Sequence, residues 1–101
     1  MDEKKIYGYL GLAAKAGKLV SGEFMTEKSV KEGKARLVLV ATDASDNTKK
    51  MFRNMCDFYK VPLCLIGDKE TLGHVIGKQF RASLAVTDDG FTKAIQKQLD
   101  N

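Results

Sequence analysis

The sequence lacks several residue types that whole classes of protein depend on. It has no tryptophan, one proline, one histidine and two cysteines in 101 residues. His74, Cys56 and Cys64 match no familiar spacing of zinc ligands. Each cysteine lies in an apolar pattern, which indicates a buried free thiol rather than a disulfide. We therefore expect no metal site and no cofactor.

Long apolar runs are also missing. No segment approaches the roughly 20 apolar residues that a bilayer span requires. The start, Met-Asp-Glu-Lys-Lys, has acids where a signal peptide has bases. With 44% hydrophobic and 30% charged residues, the composition is that of a globular protein. We expect one cytoplasmic domain over residues 1–101, without membrane contact.

Catalytic signatures are scarce. General acid–base chemistry usually needs a histidine or a carboxylate pair in a pocket, and His74 is isolated. Asp88-Asp89-Gly90 is better explained as a helix cap. The sequence therefore predicts no catalytic residues. A small enzyme ranks third among the functions that we consider. A deep pocket with a perturbed titratable group would favour it.

The hydrophobic pattern alternates helices with short apolar strands. Helices are predicted at residues 3–16, 23–32, 46–60, 69–76 and after Asp88, and strands at 19–20, 36–42, 62–66 and 83–87. This order predicts an α/β fold, a three-layer α/β/α sandwich with a small mixed sheet. In the third helix, Met51, Met55 and Tyr59 form the expected apolar stripe, with Phe52 and Cys56 beside it.

Positive charge is concentrated at the start of the chain. The formal net charge is +4, and residues 1–36 hold eight bases against five acids, which gives +3 of that total. A local basic face suits nucleic acid without an extreme isoelectric point. A solvated lysine-rich surface explains the same count.

The junction between the first two helices is the most informative segment. The first helix ends at Gly17, a short strand follows, and Gly22 opens the second helix. Lys15 and Lys18 flank this junction. It is predicted to present free backbone N–H groups, a positive helix end and ammonium groups on one surface, which suits a phosphate backbone. Glu23 complements the helix dipole there.

Two large apolar residues occupy the first turn of the second helix. Its core-facing positions are assigned to Thr26, Ser29 and Val30, which leaves Phe24 and Met25 near the rim. There they could stack on an exposed base beside cations. In the alternative, at least one of them packs against the first helix as ordinary core.

Two further segments add basic residues. Lys28 and Lys31 follow at one and two turns, within reach of flanking phosphates or simply on a solvated face. The predicted loop 77–81 carries Lys78, Phe80 and Arg81. An aromatic between two bases is typical of nucleic-acid-binding surfaces, although Phe80 could instead plug the sandwich edge.

Several segments together resemble a known family. They are residues 10–22 (LGLAAKAGKLVSG), 36–45 (RLVLVATDAS), 59–62 (YKVP), 71–78 (TLGHVIGK) and 82–91 (ASLAVTDDGF). In order and spacing they resemble the kink-turn RNA-binding family of ribosomal proteins, the L7Ae type, and its small bacterial YlxQ-like branch. The resemblance covers nearly the whole chain.

The resemblance implies a four-stranded sandwich that binds the bent internal loop of a kink-turn in structured RNA, such as ribosomal RNA. Gly22 matches the family's glycine before the RNA-contacting helix, and Lys28 matches its phosphate-contacting lysine. Lys18 matches a flanking basic position, and Asp43 an acidic position after the central strand. Residues 78–81 match the loop that covers a flipped-out nucleotide.

One departure from the family pattern concerns base reading. Its asparagine–glutamate pair falls on Phe24 and Met25, neither of which can hydrogen-bond a guanine edge. Affinity for a standard kink-turn is then weaker, or the RNA target is different. Our first hypothesis is a monomeric, non-enzymatic RNA-binding protein, ribosomal or part of another ribonucleoprotein. The second is a protein-interaction module that uses the Phe24/Met25 patch.

Overall fold

Helices and strands follow the predicted order. A computed structural model describes residues 1–100; Asn101, the last residue of the predicted domain, lies outside the described residues. The helices are α1 Glu3–Lys15, α2 Glu23–Lys31, α3 Asp46–Tyr59, α4 Lys69–Val75 and α5 Asp89–Asp100. The strands are β1 Leu19–Ser21, β2 Leu37–Val40, β3 Leu63–Leu65 and β4 Ser83–Val86.

The four strands form one mixed sheet in the order β1-β4-β2-β3. β4 runs antiparallel to both β1 and β2, whereas β2 and β3 are parallel. The parallel pair is joined through α3, as a crossover requires. Short strands buried on both faces are typical of sheets with a helical layer on each side.

Two apolar cores flank the sheet. On one face, α1, α4 and α5 pack through Ile6, Leu10, Leu72 and Ile95 against Leu37, Leu39, Leu84 and Val86. On the other face, α2 and α3 pack through Val30, Phe52 and Cys56 against Val38, Val40 and Ala85. The alternation along β2 follows from the two-residue period of a strand. The predicted α/β/α sandwich is therefore confirmed.

The core-facing side of α3 differs from the predicted stripe. Phe52 and Cys56 are buried, Met51 and Met55 are half-buried, and Tyr59 is exposed. The Tyr59 ring instead makes an edge-to-face contact with Phe58, with centroids 4.9 Å apart. The prediction is therefore confirmed for Met51, Met55, Phe52 and Cys56, which pack in the second core, and it is wrong for Tyr59.

Candidate nucleic-acid interface

One edge of the sheet collects most of the predicted site residues. At this edge the Gly22 N–H donates to the Ser83 carbonyl at 2.9 Å, and the Ala41 N–H donates to the Ala82 carbonyl at 2.9 Å. The end of β1, the end of β2 and the start of β4 therefore lie side by side. We call residues 21–25, 41–43 and 78–82 the junction edge.

The start of α2 is open to solvent at the junction edge. Gly22 has φ 90° and ψ 159°, and it provides no side chain to cap the helix. The N–H groups of Glu23, Phe24 and Met25 thus have no intrahelical acceptor and carry the positive end of the helix dipole. Phe24 is 74% exposed and Met25 42% exposed. Both lie at the rim, as predicted, and neither is core packed against α1.

Arg81 connects the start of α2 to the 77–81 loop. Its Nε donates to Ser21 Oγ at 3.1 Å, and its Nη1 donates to the Phe80 carbonyl at 2.8 Å. Its backbone N–H donates to the Lys69 carbonyl. The half-buried guanidinium therefore holds two parts of the junction edge in register. No local sequence pattern indicates this bridge, because its partners are 60 residues apart.

The 77–81 loop is fixed against α4 by a close backbone approach. A Cβ built on Gly73 would lie 1.6 Å from the Gln79 carbonyl oxygen, so only glycine fits there. The Lys78 N–H also donates to the Gly73 carbonyl at 2.8 Å. Phe80 is 63% exposed and does not plug the sandwich edge. The loop thus presents an aromatic ring from a rigid base.

Asp43 lies at the same edge, directly after β2, but it has a structural contact. Its Oδ1 accepts from the Lys69 N–H at 2.9 Å, at the start of α4. The adjacent Asp68 caps α4 by accepting from the Thr71 N–H, and this backbone hydrogen bond lowers the pKa of Asp68. Asp43 therefore joins β2 to the helix that supports the loop.

Lys15 and Lys78 line one cleft beside the junction edge. The cleft has a volume of about 430 Å³ and also contains Ser21. Its floor is formed by Leu19 of β1 and Val75 of α4. Within residues 1–100, neither lysine forms an ion pair with a carboxylate. The cleft is therefore positive and lies next to the start of α2.

The backbone of Lys18 lies at the opposite end of β1 from Gly22. The Lys18 carbonyl accepts from the Thr87 N–H at 2.9 Å, whereas Gly22 pairs with Ser83. At about 3.3 Å per strand residue, the two backbone positions are about 13 Å apart. Three strand residues between them were enough to separate the lysine from the open amides.

Lys28 and Lys31 lie further along α2 and differ in their partners. Lys31 Nζ contacts Glu27 Oε1 at 2.8 Å, and this hydrogen bond raises the pKa of Lys31. Lys28 forms no ion pair with any carboxylate of residues 1–100. It lines a groove of about 200 Å³, which we call the α2 groove. The groove's lining residues are Val20, Met25, Lys28, Ser29, Glu32, Lys34 and Thr87.

Both cysteines are free thiols, of which Cys56 is buried as expected and Cys64 is only half-buried. Burial raises the pKa of the Cys56 thiol to about 11, and it also raises the pKa of Cys64. Since the thiolate is the reactive form, both side chains are poor nucleophiles at neutral pH. Across residues 1–100, no group of three or more His, Cys, Asp or Glu side chains could hold a metal ion. No helix of this part of the chain has the length and apolar character of a membrane crossing.

Known proteins are similar to this chain in sequence and in fold. The RNA-binding protein YlxQ of Bacillus subtilis is 44% identical over 100 residues, which cover 99% of this chain and all of that protein. A Bacillus halodurans C protein of unknown function has a structure with a TM-score of 0.92 and 36% identity, covering 96% of this chain and 98% of that one. The Giardia lamblia 15.5kD RNA binding protein, at 22% identity, shares the fold with a TM-score of 0.82, covering 97% of this chain and 84% of that one.

The match to a family model extends over most of the chain. Residues 4–96 match the model of the ribosomal protein L7Ae/L30e/S12e/Gadd45 family. This span runs from the first turn of α1 into the last turns of α5, and so includes both core layers and the junction edge. The chain therefore belongs to the ribosomal protein L7Ae/L30e/S12e/Gadd45 family.

Proposed function

We propose that this chain is a monomeric, non-enzymatic RNA-binding domain that recognises a sharply bent, kink-turn-like internal loop of structured RNA. The observation that carries the proposal is the junction edge, where uncapped amides of α2, the exposed Phe24 and the exposed Phe80 lie together. Membership of a ribosomal protein family and a full-length relative named as an RNA-binding protein support it. Ribosomal RNA is the proposed target class, and the cytoplasm the proposed location.

The proposed phosphate contacts are four lysines around β1 and α2, none of which forms an ion pair with a carboxylate of residues 1–100: Lys15, Lys18, Lys28 and Lys78. Gly22 lets the RNA backbone approach the free amides of α2, because no side chain stands over them. These contacts orient the RNA but carry no sequence information. Lys31 is less available to a phosphate, because its ammonium group already contacts Glu27.

Apolar contacts replace hydrogen-bonded base reading. Phe24 and Met25 face solvent at the first turn of α2, where they can cover base faces. Phe80 covers an extruded nucleotide from the other side, and Arg81 fixes its distance from α2. Because these contacts are tolerant of base identity, recognition depends mainly on the shape of the bent RNA.

A titration with two matched RNAs tests this proposal. One RNA contains a kink-turn with tandem sheared G·A pairs, and in the other those pairs are Watson–Crick pairs. We expect the bent RNA to bind about tenfold more tightly, since the straightened RNA must first be deformed. With these four lysines as phosphate contacts, log affinity should fall against log salt with a slope of about −3.

Equal affinity for the two RNAs would contradict shape recognition, and salt-independent affinity would contradict the phosphate contacts. The exposed Phe24/Met25 patch also favours a second candidate, a protein-interaction module. Its signature would be binding to a protein partner that resists salt, survives nuclease treatment and requires Phe24 but not Lys28.

A further inference from the structure

A second exposed aromatic surface lies at the C-terminal end of α3, outside the proposed interface. Phe58 is 77% exposed, and its ring touches the exposed ring of Tyr59 edge to face. Neither ring packs in either core of the sandwich. Two touching aromatic rings expose more contiguous apolar area than the single side chains that are normal on a surface, so they indicate a contact site.

This surface lies at the far end of the sheet from the junction edge. The helix α3 begins just after residues 41–43 of the junction edge, and its 14 residues span about 21 Å. Beyond the helix, the Pro62 carbonyl accepts from the Val38 N–H at 3.0 Å, at the start of β2. A ligand at Phe58 can therefore be bound at the same time as a ligand at the junction edge.

Basic residues outnumber acids around the two rings. Residues 46–60 contain two acids and four basic residues, which are Lys49, Lys50, Arg53 and Lys60. Within residues 1–100, none of the four forms an ion pair with a carboxylate. Of the acids, Asp46 lies in the first turn of α3, about three turns from Phe58, and Asp57 precedes Phe58 directly. The excess of positive charge suits a polyanion.

One of these basic residues has a backbone conformation that favours glycine. Lys60 ends α3 with φ 61° and ψ 41°, and it is the only non-glycine residue with positive φ in the described part of the chain. The five other positive-φ positions there are glycines. A side chain in this conformation lowers stability, and such positions are typical of functional sites. The retention of a lysine here, two residues after Phe58, therefore supports a binding role for its ammonium group.

The combination favours RNA over a protein partner. Phe58 has polar neighbours, because Asn54 lies one helical turn before it and the charged Asp57 and Lys60 lie on either side of it in sequence. A protein interface needs a larger apolar centre than two rings in such surroundings. An aromatic ring beside basic residues is instead typical of a surface that stacks on an unpaired nucleobase and contacts its phosphates. The exposed basic residues from Lys50 to Lys60 extend over about 15 Å, which suits an extended strand.

We propose that the α3 surface, defined as Lys50, Arg53, Phe58 and Lys60, binds a single-stranded segment of the RNA outside the bent loop. An unpaired nucleobase stacks on Phe58, and the neighbouring phosphates contact the three basic residues. This inference rests on the proposed function and adds a second contact to it. Because the RNA is already bound at the junction edge, the second contact benefits from a high effective concentration.

Kink-turn RNAs with and without a single-stranded tail test the α3 surface. Two tailed probes carry roughly eight uridines, one probe on each strand of the kink-turn. We expect at least one of them to bind the wild type about three- to tenfold more tightly than the tailless RNA. The slope of its log affinity against log salt should be steeper by about 2, since three phosphate contacts are added. Phe58→Ala should remove most of this gain and leave the affinity for tailless RNA unchanged.

Lys60→Gly separates binding from stability. It should raise the Tm by about 3–6 °C, because glycine accepts the positive φ without a steric cost. The same variant should reduce the gain from the tail and the added salt slope by about 0.7. Lys60→Arg keeps the charge and should keep the gain. A gain that Lys60→Gly leaves unchanged would overturn the role of Lys60 and show that its position is only structural.

Leu12→Ala is the matched control for Phe58→Ala. It also removes an exposed apolar side chain, which is 57% exposed on α1, and α1 packs on the other face of the sheet. This variant should bind the tailed and tailless RNAs as the wild type does.

Two results would overturn the inference: no gain from either tail, or an equal gain in the wild type and Phe58→Ala. The first result would also leave a protein as the alternative occupant of the α3 surface. Both leave the proposed function intact if the wild type still prefers the tailless kink-turn RNA to the RNA with Watson–Crick pairs. Loss of that preference would refute the proposed function, whatever the tails do.

Discussion

Two groups of basic residues differ in their electrostatic partners, although both lie largely in the first third of the chain. Lys31, Lys34 and Arg36 contact Glu27, Glu32 and Asp89 at 2.8, 3.4 and 3.1 Å. The second group is Lys15, Lys18, Lys28 and Lys78, four of the bases that have no carboxylate partner in residues 1–100. The first group borders the turn from α2 to β2, and the second surrounds β1 and the clefts beside it.

The difference shows why a count of charges does not locate a binding surface. Each base of either group adds one positive charge to the formal net charge. Only ammonium groups without a carboxylate partner leave a local positive potential for a polyanion. Exposed ion pairs such as Lys31–Glu27 add little stability, so their main effect is to neutralise the face they occupy. The surface around β1 therefore keeps the positive charge of its four lysines, whereas the turn from α2 to β2 does not.

We expect the largest effect on stability and RNA affinity from a substitution that displaces the 77–81 loop. Gly73→Ala places a methyl group on the Gln79 carbonyl, so the loop must move or α4 must shift. We expect a loss of about 1–3 kcal/mol in the free energy of unfolding. Affinity for kink-turn RNA should fall with it, because Lys78 and Phe80 leave their positions. Chemical denaturation and RNA titration measure the two effects.

Gly8→Ala is the control for Gly73→Ala. A Cβ at Gly8, in the exposed middle of α1, meets nothing within 4 Å. This variant should gain about 0.5–1 kcal/mol from helix propensity and bind RNA normally. Equal behaviour of the two variants would show that the loop does not depend on the close approach at Gly73.

Arg81→Lys should have the next largest effect, because it keeps the charge and removes the bridge. A lysine cannot donate to Ser21 Oγ and the Phe80 carbonyl in the same fork geometry. We expect RNA affinity to fall about fivefold with an unchanged salt slope, as for a residue that positions Phe80. Filter binding at several salt concentrations measures both quantities.

The matched change is Arg36→Lys, at a guanidinium that contacts Asp89 away from the junction edge. It should leave RNA affinity within about twofold of the wild type, as expected for an exposed pair. A shallower salt slope for Arg81→Lys would instead indicate that Arg81 contacts a phosphate. Unchanged RNA affinity would show that Arg81 has no role in binding.

Glu27→Gln should have the smallest effect and the opposite sign. It releases Lys31 from its carboxylate, so one more ammonium becomes available to RNA. We expect affinity to rise about twofold and the salt slope to steepen by about 0.7–0.9. Asp57→Asn, which changes the net charge equally without freeing a paired base, should leave the slope unchanged. Equal slopes for both variants would show that Lys31 lies outside the RNA path.

Local patterns in the sequence were sufficient for most of the fold. The helix and strand bounds agree with the prediction to within one or two residues, because each element carries a clear hydrophobic period and a cap or glycine at its end. The exposure of Phe24 and Met25 also followed from helical spacing, once Thr26, Ser29 and Val30 were assigned to the core. On α3 only the core position of Tyr59 was wrong, because helical spacing does not show which side chains at the end of a helix stay exposed.

Contacts between distant residues could not be read in this way. The separation of Lys18 from Gly22 depends on how β1 pairs with β4, and the Arg81 bridge depends on where the loop meets β1. Only the Lys31–Glu27 pair had a local signal, a spacing of four residues on one helix.

The backbone of Gly22 has a mechanical consequence. Strand β1 passes directly into α2 through this one residue, whose φ of 90° is disfavoured for any residue with a side chain. The helix that follows is about 13 Å long, so a rotation of some 10° at Gly22 would swing its far end by about 2 Å. Because Gly22 has no Cβ, its backbone can adopt the conformation that sets the direction of α2 relative to β1.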